Sequence, residues 1–184
     1  MNPRGFLLAL VLAWPLQPVD DAARAWIRTL QQPALAGVMR VASDQSRWVL
    51  PVGLGLALVL GNSGRLFLAE TAVALLPLNA GVEGLKWCVN RTRPDGEHNR
   101  RNSSFPSSHA ANAFALAAVL TRRSRRWAVP AWLAASLVAF SRMYLDRHWL
   151  TDVLGALVLA CAAAGFAAWA MRRWQERRSA LRTS

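Results

Sequence analysis

At 184 residues the chain suits a single domain, but 54% hydrophobic residues beside a formal net charge of +12 is a poor mixture for a water-soluble globule. Ala, Leu and Val gather in uncharged runs while Arg gathers between them, which is how a chain threads a bilayer and keeps its cations in water. Nucleic acid is a poor partner for that charge, because the chain has no basic helix free of apolar runs, no zinc-finger spacing and a single Tyr.

Six apolar segments follow in chain order: Phe6 to Val19, Trp48 to Leu60, Leu66 to Lys86, His109 to Leu120, Trp127 to Phe140, and Asp152 to Met171. The first has a rival reading as a secretory signal after Arg4, but Pro15 and Pro18 stand where a small-residue cleavage site belongs. From Ala22 to Arg47, Trp26, Ile27, Leu30, Leu35, Val38 and Met39 recur at helical spacing opposite Arg24, Arg28 and Arg40. This predicts an interfacial helix broken near Pro33, or equally a helix that covers the bundle. The second, fourth and fifth segments fall short of the ~20 residues of a straight span, so each borrows flanking residues or is shielded by its neighbours. Strict alternation is absent, which argues against a β-barrel. The expected fold is all-α: a polytopic membrane bundle of about six transmembrane helices, with an interfacial helix after the first, in one domain over residues 1–184.

Six spans put both termini, the turn near Arg65 and the cluster Arg122, Arg123, Arg125 and Arg126 on one side of the membrane. Lys and Arg divide evenly between the two sides. Setting aside Lys86, Arg93 and Arg142, which have a chemical reason for their places, tips the balance toward cytoplasmic termini. Trp14, Trp48, Trp87 and Trp149 would then mark the outer interface, and Trp127 and Trp174 the inner one. Trp132 and Trp169 fit this belt less clearly. Cys88 and Cys161 carry no disulfide framework, and the second lies inside an apolar run.

Three outward loops hold the polar residues that a membrane protein does not place idly. The first block runs Lys86-Trp-Cys-Val-Asn-Arg-Thr-Arg93-Pro94, the second is Phe105-Pro106-Ser107-Ser108-His109, and the third is Ser141-Arg142, five residues, His148, three residues, Asp152. In order and spacing these blocks resemble the three signature motifs of the type 2 phosphatidic acid phosphatase superfamily, which also contains vanadium haloperoxidases and bacterial undecaprenyl diphosphatases. The resemblance covers Lys86 to Asp152 directly, and the six-span pattern extends it to most of the chain. One departure is Ser108, where the family usually has Gly. A Ser there still donates a backbone N–H, although a left-handed backbone is disfavoured.

The same residues suit similar roles on physical grounds. Phosphoryl transfer spreads negative charge over equatorial oxygens, so it needs fixed cations and N–H donors around one point. Lys86, Arg93 and Arg142 supply the charge, and Lys86 is the chain's only lysine. Ser107 and Ser108 precede the fourth span, whose helix N-terminus favours an anion, and the resemblance implies that they complete the phosphate cradle. His148 and Asp152 stand four residues apart, so a helical turn predicts the carboxylate beside the imidazole, taking its proton and orienting the other nitrogen toward phosphorus. The resemblance implies a phosphohistidine on His148. His109 is expected to protonate the departing oxygen and then to take a proton from water. Taken singly, each residue has a plainer reading: a histidine as a helix cap, arginines as headgroup anchors, Asp152 as the cap of the sixth helix. None of these explains why the sole lysine and two of three histidines fall at fixed spacings in one ordered set. His98 lies outside every block and reads as a loop residue. Glu83, three residues before Lys86, can steer that lysine or pair with any outer-side Arg.

The resemblance therefore implies a metal-independent bacterial inner-membrane lipid phosphatase with no cofactor, its site facing the periplasm or cell exterior. Its substrate would be a membrane lipid phosphate or diphosphate, with undecaprenyl diphosphate preferred. Phosphatidylglycerophosphate, phosphatidate and lipid A phosphate fit the same site. Two other classes are a vanadate-dependent haloperoxidase, disfavoured because those relatives are larger and soluble, and a non-catalytic lipid-binding or transport protein. Oligomeric state is not legible.

Overall fold

The computed structural model describes residues 15–44 and 62–183. The expected second span, Trp48 to Leu60, and most of the first lie outside the described residues, as do Trp14 and Trp48. Gln17 to Val19, at the tail of the expected first span, open a helix in which Pro18 is well tolerated because it stands in the first turn.

Among the described residues all regular structure is helical: α1 (Gln17–Thr29), α2 (Pro33–Ser43), α3 (Asn62–Val89), α4 (Ser108–Arg123), α5 (Ala128–Tyr144) and α6 (Leu150–Thr183), with short 3-10 turns at Arg100–Asn102 and Arg125–Trp127. Helices α3 to α6 correspond to the expected third to sixth spans. Helix α6 runs well beyond Met171, since the basic tail that follows contains neither Gly nor Pro. Loss of hydrophobicity marks where such a segment leaves lipid, not where its helix stops. Helix α3 ends at Asn90, which takes the left-handed conformation (φ 46°) and returns its N–H to the Lys86 carbonyl at 3.0 Å.

The distribution of side-chain size identifies the solvent around this bundle. Helix α4 is central and touches α3, α5 and α6. Its contact surface is built from Ala110, Ala111, Ala115 and Ala117, and that of α6 from Ala156, Ala160, Ala164 and Ala167, all essentially inaccessible. The large apolar residues point outward. Val129, Leu133 and Leu137, four residues apart on one face of α5, are 68%, 66% and 44% exposed, and Leu154, Val158, Phe166 and Trp169 do the same on α6. Small residues inside and large ones outside is the arrangement of helices packing in lipid, where close backbone approach replaces hydrophobic burial. Two helices, over Gly64–Val89 and Leu150–Leu181, are long and apolar enough to cross a bilayer by themselves. Helices α4 and α5, at 16 and 17 residues, are shorter. They reach only ~24–26 Å of a hydrocarbon core of ~30 Å, and for α4 the surrounding helices shield most of the surface. Polar contacts link the spans: Asn79 Nδ2 donates to Asn112 Oδ1 (2.9 Å) between α3 and α4, and Arg123 Nε to Glu70 Oε2 (2.6 Å) at the end remote from the site.

Helices α1 and α2 combine both readings of their pattern. Ile27 and Met39 pack against Tyr144 on α5, while Trp26, Val38 and Val41 on the outer side are more than half exposed. The break falls at Leu30 to Gln32 because Pro33 starts α2 and cannot continue α1. Tyr144 holds that break in place. Its hydroxyl accepts from the Gln32 N–H (2.7 Å) and its carbonyl from Gln31 Nε2 (2.8 Å). Of the described tryptophans, Trp87 and Trp149 lie at the site end and Trp127 and Trp174 at the other. Trp132 packs on Phe114 inside the bundle, and Trp169 is exposed beside Phe166.

Candidate active site

Four helix ends converge: the C-termini of α3 and α5 and the N-termini of α4 and α6. Between them is a cavity of about 400 Å³ lined by Lys86, Arg93, Ser108, His109, Arg142 and His148, with Glu97, Asn102 and Arg147. All three sequence blocks therefore reach one point.

Each cation is held from behind. Lys86, in the last turn of α3, pairs its Nζ with Glu83 Oε1 at 2.8 Å, so of the two readings of Glu83 the structure takes the one in which it steers the lysine. Arg93 sits in the loop after α3, where Nε donates to the Asn102 carbonyl (3.1 Å) and NH2 to Asn102 Oδ1 (2.6 Å). Burial lowers its pKa from the ordinary guanidinium range and Arg147 adds to this, while Glu97 and Asp95 oppose it. Arg142, in the last turn of α5, gives NH1 to Ser43 Oγ on α2. Two buried donors on the cavity wall, Arg142 Nε and the Ser108 hydroxyl, have no hydrogen-bond partner among the described residues. Unpaired donors in a cation-lined cavity are costly unless an anion answers them.

Ser107 is placed differently from Ser108. Its Oγ caps α4 by accepting from the Ala110 N–H (3.4 Å), and its own N–H donates to the Asp152 carbonyl (3.3 Å). It is fully buried behind the cavity, where it fixes α4 against α6. Gly155 allows a further close approach on α6, since a Cβ there would meet the Phe105 ring at 2.5 Å.

His148 departs from the helical-turn expectation. It belongs to the loop before α6, which begins only at Leu150. Its Nδ1 lies 2.7 Å from the Ser104 carbonyl and 3.6 Å from Asp152 Oδ2. A carbonyl can only accept, so Nδ1 carries the proton and gives it to Ser104, leaving Nε2 with its lone pair. Asp152 is the neighbouring charge, not the direct acceptor. Its carboxylate is occupied in holding the loop: Oδ2 accepts from the Trp149 N–H (2.8 Å) and the Ser104 hydroxyl (2.5 Å), and Oδ1 from Arg91 NH1 (2.7 Å). The four-residue spacing does bring the groups together, but through a carboxylate that caps the start of α6.

Arg91 is the residue that sequence reasoning passed over. It stands inside the first block, but the pattern assigned it no task. The structure buries it between two carboxylates, with NH2 2.6 Å from Asp20 Oδ2 and NH1 2.7 Å from Asp152 Oδ1. Asp20, on α1, also accepts from the Thr151 N–H (2.9 Å) and hydroxyl (2.7 Å) at the start of α6. Trp149 carries the guanidinium groups of Arg24 and Arg91 over its ring, each 5.4 Å from the centroid. Arg24 and Arg28 pair with Asp146 in the same loop. Helix α1 is thus tied to the loop that carries His148. The signal was an unpaired Asp on the apolar-facing side of an amphipathic helix, and it is readable only once a partner is known. His98 hydrogen-bonds Thr92 at the loop edge and stays outside the cavity.

Burial lowers the pKa of His148 from 6.5, and Arg142 and Arg93 add to that, while the Asp152 carboxylate opposes it. The ring is therefore neutral at neutral pH and stays so for some distance below its ordinary value. The expected result is that the His148 ring, followed by NMR across pH, takes up its second proton with a midpoint below 6.5. A midpoint above that value would contradict this electrostatic picture.

An imidazole with a free nitrogen, three cations and unpaired donors around one cavity suits nucleophilic attack on a tetrahedral oxyanion. The family model of the PAP2 superfamily matches residues 65–176, well over half of the chain. The chain belongs to the PAP2 superfamily, among its membrane phosphatases. Among curated PAP2 relatives, phosphatidylglycerophosphatase B of Bacillus subtilis is 30% identical over 180 residues, covering 84% of this chain and 86% of that protein. The lipid A 1-phosphatase of Porphyromonas gingivalis is 35% identical over 96 residues, or 50% of this chain. The undecaprenyl-diphosphatase BcrC of Bacillus subtilis is 37% identical over 59 residues, or 32% of this chain. These last two matches span only 21% and 31% of the relatives' own lengths. A crystal structure of a transmembrane PAP2-type phosphatidylglycerolphosphate phosphatase from Bacillus subtilis superposes with a TM-score of 0.68 at 26% identity, over 92% of this chain and 94% of that one.

Proposed function

We propose that this PAP2 protein is a metal-independent lipid phosphatase of a bacterial inner membrane, which removes the terminal phosphate of a lipid diphosphate or phosphate monoester through a phosphohistidine on His148. The observation that carries this reading is the His148 ring, its Nδ1–H fixed on the Ser104 carbonyl, on the wall of the cavity that also holds Lys86, Arg93 and Arg142. His148 Nε2 attacks phosphorus, the bond to the leaving oxygen breaks, and His109 gives that oxygen a proton. Water then attacks the phosphohistidine, its proton returns to His109, and the P–N bond breaks to release inorganic phosphate. Lys86, Arg93, Arg142 and Ser108 hold the equatorial oxygens, the charges that phosphoryl transfer otherwise draws from metal ions. Asp152 acts through Ser104 and the loop that carries His148.

Undecaprenyl diphosphate is the preferred substrate in this reading. One support is the similarity to a relative of that specificity. The other is chemical: a lipid phosphate leaves more readily than an alkoxide. The site lies outside the cytoplasmic face, opposite the end that carries Arg122, Arg123, Arg125 and Arg126. The test is phosphate release by the purified chain from a panel of lipid diphosphates and monophosphates in excess chelator. Release is expected to persist in chelator and to be faster from a diphosphate than from the monophosphate of the same lipid. Binding without release would favour a lipid-binding or transport protein, and loss of release in chelator would overturn metal independence.

A further inference from the structure

A second cavity, of about 430 Å³, adjoins the catalytic one. It shares His109, Arg142 and Arg147 with that site but not His148, and its other walls are Arg40, Ser43, Asp44 and Leu145. Given the proposed chemistry, its place has a direct meaning. An in-line displacement sends the leaving group away from the nucleophile, toward the acid that protonates it. The nucleophile lines only the first cavity, whereas the acid lines both. The second cavity therefore receives the part of the substrate beyond the scissile bond.

Its walls fit an anion better than a glycerol or a hydrocarbon chain. Arg40 and Ser43 lie three residues apart on α2 and so share a face. Ser43 Oγ accepts from Arg142 NH1, which brings that face against the guanidinium whose Nε is buried without a partner among the described residues. Among the described residues Asp44 is the one carboxylate on the wall, and it is already engaged in an interaction of its own. Arg147 is paired with Asp95 and Glu97, so it adds little net charge. Among the described residues Arg40 and Arg142 are the cations left to meet a leaving group.

From this we infer that the second cavity is a subsite for the lipid-linked phosphate of a diphosphate substrate, with Arg40 as its selectivity residue. The inference rests on His148 as nucleophile and His109 as acid. When His148 Nε2 bonds to the terminal phosphorus, the bond from that phosphorus to the bridging oxygen breaks. The electron pair stays on the bridging oxygen, which His109 protonates, and the departing lipid phosphate lies against Arg40 and Arg142. A monophosphate lipid sends only an alcohol into the same space, so Arg40 has no charge to answer.

The experiment compares kcat/KM for dioleoylglycerol diphosphate and dioleoyl phosphatidate in mixed micelles, for the full chain and for Arg40→Ala and Arg40→Lys. Arg40 is exposed, so its replacement is compatible with folding. The ratio of diphosphate to monophosphate kcat/KM is expected to fall about tenfold or more in Arg40→Ala, with partial recovery in Arg40→Lys. Hydrolysis of both lipids with an unchanged ratio would overturn the subsite and leave the phosphatase reading standing. Hydrolysis by the wild-type chain of neither lipid, nor of undecaprenyl diphosphate, would overturn both.

Discussion

Replacement of His148 with Ala is expected to lower phosphate release by roughly four orders of magnitude or more, because no other described group on the cavity wall combines a free lone pair with a fixed orientation. The fold should survive the change. Asp152 keeps its bonds to Arg91, Ser104 and the Trp149 N–H, so the main structural loss is one hydrogen bond to the Ser104 carbonyl. That loss amounts to ~1–3 kcal/mol if the carbonyl stays unpaired. Unchanged lipid binding by the variant, measured beside its lost turnover, would separate chemistry from folding. Release at more than a few per cent of the wild-type rate would remove His148 from the centre of the reaction.

Arg91→Leu is expected to damage stability and turnover together, although Arg91 does not line the cavity. The substitution leaves Asp20 and Asp152, both essentially inaccessible, without the cation between them. Breaking a buried pair from one side costs about 3–5 kcal/mol. Asp152 then no longer fixes Ser104 and Trp149, and a small displacement of the nucleophile lowers turnover by about a hundredfold. The double variant Arg91→Leu/Asp20→Asn should regain part of the lost thermal stability, since one buried carboxylate has gone, but not the turnover. Thermal melting in detergent and phosphate release on the same samples measure both. Wild-type melting and turnover in Arg91→Leu would show that the link from α1 to the catalytic loop is without consequence.

Much of the site was legible because its chemistry requires rare residues at fixed separations. A chain with one lysine places it at the end of an apolar helix, and the spacing from Lys86 to Arg93 survives in three dimensions because α3 ends at Asn90 and the loop returns to Asn102. The spacing of His148 and Asp152 carried proximity but not mechanism. A four-residue interval reads as a helical turn, whereas here the helix starts between the two residues and the ring bonds to a backbone carbonyl from another loop. No sequence pattern announces a carbonyl acceptor. Ser107 and Ser108 are adjacent and chemically alike, yet one caps a helix and the other faces the cavity, a division set by where α4 begins. The fold was legible at the level of spans because hydrophobicity reports lipid exposure. The end of α6 was not, because a basic helix in water keeps the same backbone. Arg91 and Asp20 form a contact between residues 71 positions apart, which local spacing does not encode.

The proposed catalysis depends on a bond between phosphorus and one ring nitrogen. Rapid acid-free quench of the chain with a lipid diphosphate labelled in its terminal phosphate, followed by peptide mapping, tests this most directly. The label should sit on His148, resist base, be lost in acid, and be absent from His148→Ala. Label on a serine or on His109, or label that persists in His148→Ala, would contradict the mechanism.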